Sequence, residues 1–311
     1  MVILTGPTAV GKTALSLKLA KAINGAIISA DSMQVYKYMD IGSAKIMPWE
    51  MEGIPHYLVD ELLPSEEFNI VRFQQMAREA LTEIYSKGQI PIITGGTGFY
   101  IQGLLYDIDF DSQDADLTYR NSLEAFAAQY GPHALHEKLK EIDPVSYDTI
   151  HENNVKRVIR ALEFYEKTGQ PISAHNEAER AKSSPYNFAY FVLTDNRARL
   201  YERIEKRVDL MVDQGLIEEV TRLKDMGYHR NMVSMQGLGY KEILDALSGQ
   251  CSMEEAIAEI KLQTRHFAKR QLTWFRRERD VIWFDKETYN YDDEAILRDM
   301  CSILRQKEII S

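Results

Sequence analysis

The sequence predicts an α/β fold, a P-loop NTPase-like, doubly wound parallel sheet that carries a helical insertion domain. The first observation is a glycine-rich motif, "GPTAVGKT" at residues 6–13, which lies between a short apolar run and a helix-like segment. The second is that apolar runs alternate with helical segments as far as Leu105, as in parallel sheets with helices on both faces. After Leu105 the helical pattern dominates to about Ser184, which indicates the insertion.

Each predicted strand is an apolar run bounded by polar or glycine residues. The runs are "VILT", "GAIISADS", "HYLVD", "IPIIT", "FAYFVLT" and "VIWF". Helical periodicity occupies residues 69–87 and several stretches between residues 197 and 276. Because functional groups gather at the carboxyl ends of parallel strands, we expect Asp31, Asp60 and Thr97 at the same edge as the motif.

The domain organisation follows from where the strand pattern stops and resumes. Residues 1–112 are predicted to form the first part of the P-loop core, residues 113–184 the helical insertion, and residues 185–311 a mainly helical completion with one late strand. The insertion begins near an acidic stretch, "DIDFDSQDAD", and contains "NSLEAFAAQY", "HALHEKLKEI" and "VKRVIRALEFYEKTG".

Composition excludes several classes of protein. The two cysteines, Cys251 and Cys301, stand in no metal-ligand spacing, so neither a disulfide framework nor a zinc finger is indicated. The chain opens on a strand-like run and has no stretch of about 18 apolar residues, so we expect no membrane association and a cytoplasmic location. The net charge of −10 argues against non-specific coating of nucleic acid.

The motif has the spacing of a phosphate-binding loop. Its residues are Gly6, Pro7, Thr8, Ala9, Val10, Gly11, Lys12 and Thr13. The glycines let the backbone wrap an anion, Lys12 adds a positive charge, and the Thr13 hydroxyl can ligate Mg²⁺. An ordinary strand-to-helix turn would need neither Lys12 nor Thr13. We therefore predict a di- or triphosphate ligand, with Mg²⁺ as cofactor.

The position of the acidic residues differs from that of an ordinary P-loop kinase. Such an enzyme usually holds Mg²⁺ with an aspartate at the end of a buried strand, but "IPIIT" ends in Thr94 and Gly95. Asp31 and Asp60 remain as candidates. The "SMQVY" segment after Asp31 suits a heterocycle better than a metal. Asp31 could equally be a helix N-cap, and the residues alone leave both roles open.

A basic segment lies near the C-terminal end. Between Lys261 and Arg279 there are seven Lys and Arg residues against one acid, Glu278, and aromatic residues are interleaved. A polyanion could bind there. A solvated helix face with core aromatics would give the same pattern, and the stretch alone does not decide between the two.

Taken in order, the motifs resemble one family. The motifs are "GPTAVGKT", "ISADSMQVY", "GSAKI", "HYLVD", "GGTGFY", "KRVIRALEFYEKTGQPIS", "GLGYKE" and "TRHFAKRQLTWFR". Together they resemble the bacterial tRNA dimethylallyltransferases, also called tRNA isopentenyltransferases, over nearly the whole chain. The family transfers a dimethylallyl group from dimethylallyl diphosphate to the N6 amine of the adenosine 3′ of the tRNA anticodon. The resemblance thus implies that the loop holds a departing diphosphate.

The resemblance also implies roles for individual residues. Asp31 matches the family's catalytic aspartate and is the expected general base. Lys12 and Mg²⁺ at Thr13 would stabilise the charge that develops on the diphosphate. Thr97 matches a residue near the target base, although a turn residue is the alternative. Arg203 resembles an arginine close to the diphosphate, although a surface arginine is the alternative.

The tRNA contacts implied by the resemblance lie in several segments. The target base must swing out of the anticodon loop to react, and Ser32, Met33 and Gln34 match the segment that meets it, beside Asp31 and Thr97. The other expected tRNA contacts are Arg120, Lys156, Arg157, Arg160, Arg265, Lys269, Arg270 and Arg276. The insertion would then be a tRNA-binding domain, and we expect the enzyme to be a monomer.

Two departures from the family pattern are small. Ile46 stands where proline is frequent, and Asn154 stands where aspartate is usual. The C-terminal zinc finger of eukaryotic relatives is absent.

Three rival functions remain: a P-loop kinase of a small metabolite, a nucleotide-dependent RNA-binding module, and an adenylate isopentenyltransferase acting on free AMP. The kinase does not account for "TRHFAKRQLTWFR", the binding module does not account for Asp31 beside the loop, and the AMP enzyme gives no reason for the insertion.

Overall fold

The structure, a computed structural model, describes residues 1–110 and 117–311, and the chain forms two compact units. The first combines residues 1–105 with residues 186–311, and the second comprises residues 106–185. The boundary predicted between residues 112 and 113 lies outside the described residues. The boundary predicted after residue 184 falls one residue before the end of the second unit.

Six parallel strands form one sheet in the first unit, in the order β3-β2-β4-β1-β5-β6. They are β1 (Val2–Thr5), β2 (Gly25–Ser29), β3 (His56–Tyr57), β4 (Ile90–Gly95), β5 (Ala189–Thr194) and β6 (Val281–Asp285). Strands β1 and β2 are buried along their whole length, as expected for a parallel sheet covered on both faces. The predicted fold class is confirmed.

Most helices follow the predicted segments, whereas those at residues 98–105 and 293–306 were not predicted. The helices are α1 (Lys12–Ile23), α2 (Ile70–Ser86), α3 (Gly98–Leu105), α4 (Leu117–Glu137), α5 (Leu139–Ile142), α6 (Pro144–Thr149), α7 (Val155–Thr168), α8 (Ile172–Ala181), α9 (Arg197–Asp213), α10 (Leu216–Asp225), α11 (Tyr240–Leu247), α12 (Met253–Phe275) and α13 (Asp293–Gln306). Helices α4 to α8 make up the second unit, where α4 is kinked at Gly131. No helix among the described residues is long and apolar enough to cross a membrane.

Strand β3 is shorter than the predicted "HYLVD" strand. Leu58 and Asp60 both have a φ of 61°, a left-handed conformation that an extended strand cannot include. β3 is also the edge strand, so β2 and β4 separate it from β1. The carboxylate of Asp60 accepts a hydrogen bond from Lys45 Nζ at 2.9 Å. Asp60 therefore follows the carboxyl end of a parallel strand, as expected, but two strands separate this strand from the one that leads into the motif.

A buried carboxylate on α10 holds the turn that contains "GSAKI". Glu219 accepts hydrogen bonds from the backbone N–H groups of Asp40 at 3.0 Å, Ile41 at 2.9 Å and Gly42 at 3.1 Å. The Tyr240 hydroxyl donates a fourth, at 2.7 Å. A Cβ atom on Gly42 would lie 2.6 Å from the Tyr240 ring. Parts of the "GSAKI" and "GLGYKE" motifs thus serve the fold.

We expect Glu219→Ala to lower the free energy of unfolding by about 3 kcal/mol or more, because each buried donor left without an acceptor costs about 1–3 kcal/mol. Tyr240→Phe is the matched control, since it removes one donor and leaves the three backbone bonds, and it should cost about 1 kcal/mol. Urea unfolding of both variants measures the difference. A loss for Glu219→Ala no larger than that for Tyr240→Phe would contradict this role of the carboxylate.

Candidate active site

The phosphate loop joins β1 to α1 and has the backbone of an anion cradle. Gly6, Ala9 and Gly11 have φ values of 147°, 64° and 100°, which turn the chain sharply around a concave face. A Cβ atom on Gly6 would lie 2.5 Å from the Leu193 carbonyl oxygen, so only glycine fits there. Helix α1 begins at Lys12, and its N-terminus favours a negative charge in front of it.

The loop forms one wall of a cavity of about 430 Å³. Its lining comes from the loop, the ends of β2 and β4, and the helices α9 and α12: Thr8, Ala9, Gly11, Lys12, Thr13, Asp31, Gln34, Ser43, Thr94, Gly95, Gly96, Arg203, Lys206, Arg207, Leu210, Phe267 and Gln271. The size suits a small-molecule ligand. The cavity lies within the first unit and brings together most of the predicted diphosphate-binding residues with Asp31.

Among the described residues that line the cavity, four cations face one carboxylate. The cations are Lys12, Arg203, Lys206 and Arg207, and the carboxylate is Asp31. The pKa of Lys12 is lowered to about 7, mainly because burial disfavours its charged form and secondly because the Arg207 guanidinium is close. Asp31 acts in the opposite direction. An anionic ligand would favour the charged form of Lys12, so the site is built to receive negative charge.

Lys12 and Arg203 are held by contacts on either side of the loop. Lys12 Nζ donates to the carbonyl oxygens of Gly6 at 3.0 Å and Pro7 at 2.9 Å. Arg203 Nη1 lies 3.9 Å from Oδ2 of Asp195, a buried carboxylate directly after β5. The sequence analysis missed Asp195, although it is an acid at the end of a strand next to β1. At this position the Asp195 carboxylate can orient the Arg203 guanidinium.

Asp31 does not cap a helix. Strand β2 ends at Ser29, and the segment after Asp31 is a turn, in which Asp31 Oδ1 accepts the N–H of Met33 at 2.9 Å. The helix N-cap interpretation is therefore wrong, and the carboxylate instead stabilises an Asx-type turn. Burial lowers the pKa of Arg207 as it does that of Lys12, and the negative charge of Asp31 opposes both shifts, so Asp31 lies within electrostatic reach of the two cations.

Thr97 lies in the turn between β4 and α3, against the end of β2. Its backbone N–H donates to the Ala30 carbonyl oxygen at 3.1 Å. A Cβ atom on Gly95 would lie 2.3 Å from the same oxygen, so glycine is required for this close approach. Thr97 is half-buried and is one residue beyond Gly96, which lines the cavity. The turn thus places Thr97 next to the backbone that carries Asp31.

The residues present fit a Mg²⁺ ion that is shared with a ligand. Thr13 is exposed at the first turn of α1 and lines the cavity, where its hydroxyl offers a hard oxygen. Within the described ranges, no group of three or more His, Cys, Asp or Glu side chains could hold a metal ion. Mg²⁺ often uses few protein ligands and completes its shell with phosphate oxygens and water, as Thr13 would allow.

Of the residues that follow Asp31, Met33 packs against the rest of the fold and Gln34 lines the cavity. A Cβ atom on Gly237 would lie 2.5 Å from Met33 Cε, so Met33 packs closely against the "GLGYKE" turn. Gln34 lines the cavity and donates to the Ala44 carbonyl oxygen at 3.2 Å. Ser32 is half-buried. Of these three predicted tRNA contacts, Gln34 lies in the cavity wall with Asp31.

The basic residues of α7 are exposed. Lys156, Arg157 and Arg160 lie on the outer face, whereas Val158 and Ile159 are buried in the core of the second unit. This core also contains side chains from α4 and α5, namely Leu123, Leu135 and Leu139. The helix therefore presents three cations on one surface of the second unit.

Two other predicted tRNA contacts are engaged in ion pairs. Arg120 Nε and Nη2 each donate to the buried carboxylate of Glu163, both at 2.8 Å. Arg265 pairs with Glu205. The remaining predicted contacts are exposed, namely Lys269 and Arg270 on α12 and Arg276 directly after it. Arg120 thus has a structural partner that the sequence analysis did not predict.

Three polar residues that helices α9 and α12 add to the cavity wall were not predicted from the sequence. Arg207 follows Arg203 by one helical turn, so the i, i+4 spacing on α9 could have identified it. Lys206 is its neighbour and pairs with Glu202. Gln271 lies inside the basic stretch, whose cations indicate RNA binding. No local pattern shows that its side chain points into the protein.

Comparison with known proteins gives a consistent result. A family model described as IPP transferase matches residues 34–278. A protein named tRNA dimethylallyltransferase from Lachnoclostridium phytofermentans is 61% identical over 310 residues, which cover 100% of this chain and 99% of that protein. A second one, from Acetivibrio thermocellus, is 50% identical over 296 residues and 95% of each chain.

Two solved structures are similar in fold. The full-length tRNA isopentenylpyrophosphate transferase of Bacillus halodurans superposes with a TM-score of 0.74 at 45% identity, covering 99% of this chain and 97% of that one. A eukaryotic dimethylallyltransferase, described as acting on tRNA, gives a TM-score of 0.77 at 30% identity and covers 92% of this chain and 73% of that one.

Proposed function

The chain belongs to the IPP transferase family, that of the tRNA dimethylallyltransferases, and from this premise we propose its reaction in detail. It transfers a dimethylallyl group from dimethylallyl diphosphate to the exocyclic N6 amine of the adenosine 3′ of the anticodon in tRNA, and it releases diphosphate. We further propose that it acts in the cytoplasm as a monomer.

One observation carries the assignment of roles: in the described lining of the phosphate-loop cavity, one carboxylate, Asp31, stands with four cations. The cationic wall suits a leaving group that gains negative charge as its bond to carbon breaks. The carboxylate suits a nucleophile that must lose a proton. A site that only bound a nucleotide would have no use for the base.

These groups account for each bond, charge and proton that changes in the reaction. The allylic C1–O bond breaks and both electrons leave with the diphosphate, whose charge is stabilised by Lys12, Arg203 and Arg207. The adenine nitrogen forms the new bond to C1, and Asp31 takes the proton from that nitrogen. A bound Mg²⁺ at Thr13 would add positive charge beside the leaving group.

Apolar residues complete the cavity on the side of the two helices. Leu210 of α9 and Phe267 of α12 line it together with the cations. An apolar surface next to a diphosphate cradle is what a short isoprenoid chain needs, since burial of its methyl groups is favourable. A polar kinase substrate such as a sugar would gain little there.

Acceptor assays separate this function from its rivals. The protein is incubated with Mg²⁺ and dimethylallyl diphosphate labelled in the prenyl group, with unmodified tRNA and AMP offered together. We expect label in the tRNA and little in AMP. Label in AMP alone would favour the adenylate enzyme, and formation of ADP from ATP with a small acceptor would favour the kinase.

We expect the triple variant Lys156→Ala, Arg157→Ala, Arg160→Ala to raise the apparent KM for tRNA and to reduce the slope of affinity against salt concentration. Each lost phosphate contact should lower that slope by about one. The matched control removes three lysines of the first unit, Lys18, Lys21 and Lys87, each paired with a surface glutamate. An unchanged salt slope in the α7 variant, or an equal change in the control, would contradict the proposal.

A further inference from the structure

We propose that Gln271 is a positioning residue that couples the phosphate loop to the turn preceding Thr97. In this role it keeps the loop that binds the diphosphate aligned with the part of the cavity that receives the adenine. The inference rests on the proposed function and extends it to a residue that does not itself need to touch the reacting atoms.

Gln271 bridges the two segments with one side-chain amide. Its Oε1 accepts the backbone N–H of the loop residue Thr8 at 2.8 Å, and its Nε2 donates to the Gly96 carbonyl oxygen at 3.0 Å. The residue is only 5% exposed. Only an amide side chain offers a neutral donor and acceptor side by side, and the two partners fix its orientation. The N–H of Thr8 is consequently directed to Gln271.

Helix α12 contacts this turn at two glycines. A Cβ atom on Gly96 would lie 2.1 Å from Gln271 Nε2, and one on Gly98 would lie 2.3 Å from the Trp274 ring. Gln271 and Trp274 are three residues apart on α12 and therefore on the same face. They enclose the turn on both sides of Thr97. The side chains of α12 thus account for the two glycines that flank Thr97, whereas the Ala30 carbonyl oxygen accounts for Gly95.

The same turn is connected to the general base. The Thr97 N–H donates to the Ala30 carbonyl oxygen at 3.1 Å, one residue before Asp31. Gln271 therefore links the loop that holds the leaving group, through Gly96 and Thr97, to the backbone that carries the base. In a displacement at carbon, the amine must approach to about 3–3.5 Å in line with the departing oxygen, and a shift of about 1 Å can cost about a hundredfold in rate.

The test is a double-mutant cycle on the two bonded partners. Gln271→Ala removes the bridge, and Gly96→Ala forces it aside with a methyl group. We expect each to slow single-turnover transfer of labelled dimethylallyl to tRNA by about ten- to a hundredfold. Affinities for dimethylallyl diphosphate and for tRNA should change less than about threefold. The double variant should be no slower than the slower single variant, because both changes break one connection and the methyl group fits once the amide is gone.

Gln271→Glu separates positioning from packing. Glutamate keeps the shape and can accept from Thr8, but its carboxylate cannot donate to the Gly96 carbonyl, so we expect slow transfer by a protein that still folds, with a Tm lowered by the lost buried hydrogen bond. Normal transfer by Gln271→Glu, or multiplication of the two single effects in the double variant, would overturn the inference while leaving the proposed function intact. A wild-type protein that transfers no label would instead refute the proposed function, and this inference with it.

Discussion

Replacing Asp31 with asparagine should slow prenyl transfer to tRNA at least about a hundredfold, because loss of a general base typically costs about 10²–10⁴ in rate. Asparagine keeps the side-chain oxygen that accepts the N–H of Met33, so the turn should form and the protein should fold normally. It cannot take the proton from the amine. The measurement is single-turnover transfer of labelled dimethylallyl with both substrates saturating.

Asp60→Asn is the matched control for this experiment. Asp60 is also an aspartate beyond a strand of the sheet, but its carboxylate pairs with Lys45 at the far edge, where Lys45 retains Asp40 as a second partner. Its transfer rate should stay within about threefold of the wild type, as expected for a residue that makes no catalytic contact. A near-normal rate for Asp31→Asn would show that Asp31 serves only its turn and that the base lies elsewhere.

Replacing Lys12 with alanine should abolish measurable prenyl transfer and leave tRNA affinity within about threefold. Removal of one preorganised group that stabilises developing charge costs about 10²–10³ in rate, and Lys12 also contributes to binding of the diphosphate. Its ammonium is fixed by the Gly6 and Pro7 carbonyl oxygens at the bottom of the loop. Transfer and tRNA binding are measured on the same preparation.

Lys18→Ala is the control on the same helix. Lys18 lies further along α1, is exposed and pairs with Glu294 at 2.7 Å. The Lys18→Ala variant should transfer the prenyl group at the normal rate, since an exposed ion pair contributes little to stability. If Lys12→Ala lost tRNA affinity as severely as turnover, the loop would be contacting RNA, and its assignment to the diphosphate would be wrong.

Local patterns were sufficient for most of the fold. The strand "IPIIT" could be predicted because a short apolar run between polar turns is typical of a buried strand, and β4 follows it closely. Asn69 accepts the N–H of Arg72 and caps the N-terminus of α2, a position at which asparagine is favoured. Strand β3 was predicted too long because "HYLVD" is apolar enough for a strand. What ends β3 is a left-handed backbone at Leu58, whose N–H donates to the nearby Glu61 carboxylate at 2.6 Å.

The cavity was predictable where a motif fixes the backbone and not where distant segments meet. The spacing of Gly6, Gly11 and Lys12 predicts the loop by itself. Gln271 reaches Thr8 across 263 positions of sequence, and Glu219 reaches Asp40 across 179. Gln271 lies within the "TRHFAKRQLTWFR" motif, but no local pattern shows which distant segment the side chain of Gln271 or of Glu219 will meet. For the same reason the buried partner of Arg120 escaped prediction.

The central claim is that this cavity breaks a carbon–oxygen bond of dimethylallyl diphosphate in order to alkylate an adenine amine of tRNA. The most direct measurement follows prenyl-labelled dimethylallyl diphosphate and unmodified tRNA in the presence of Mg²⁺. Released diphosphate is counted, and the labelled nucleoside is identified after nuclease digestion. We predict one diphosphate per prenyl group and all of the label on N6 of the adenosine next to the anticodon. Diphosphate release without label in the RNA, or label on another nucleoside, would contradict the claim.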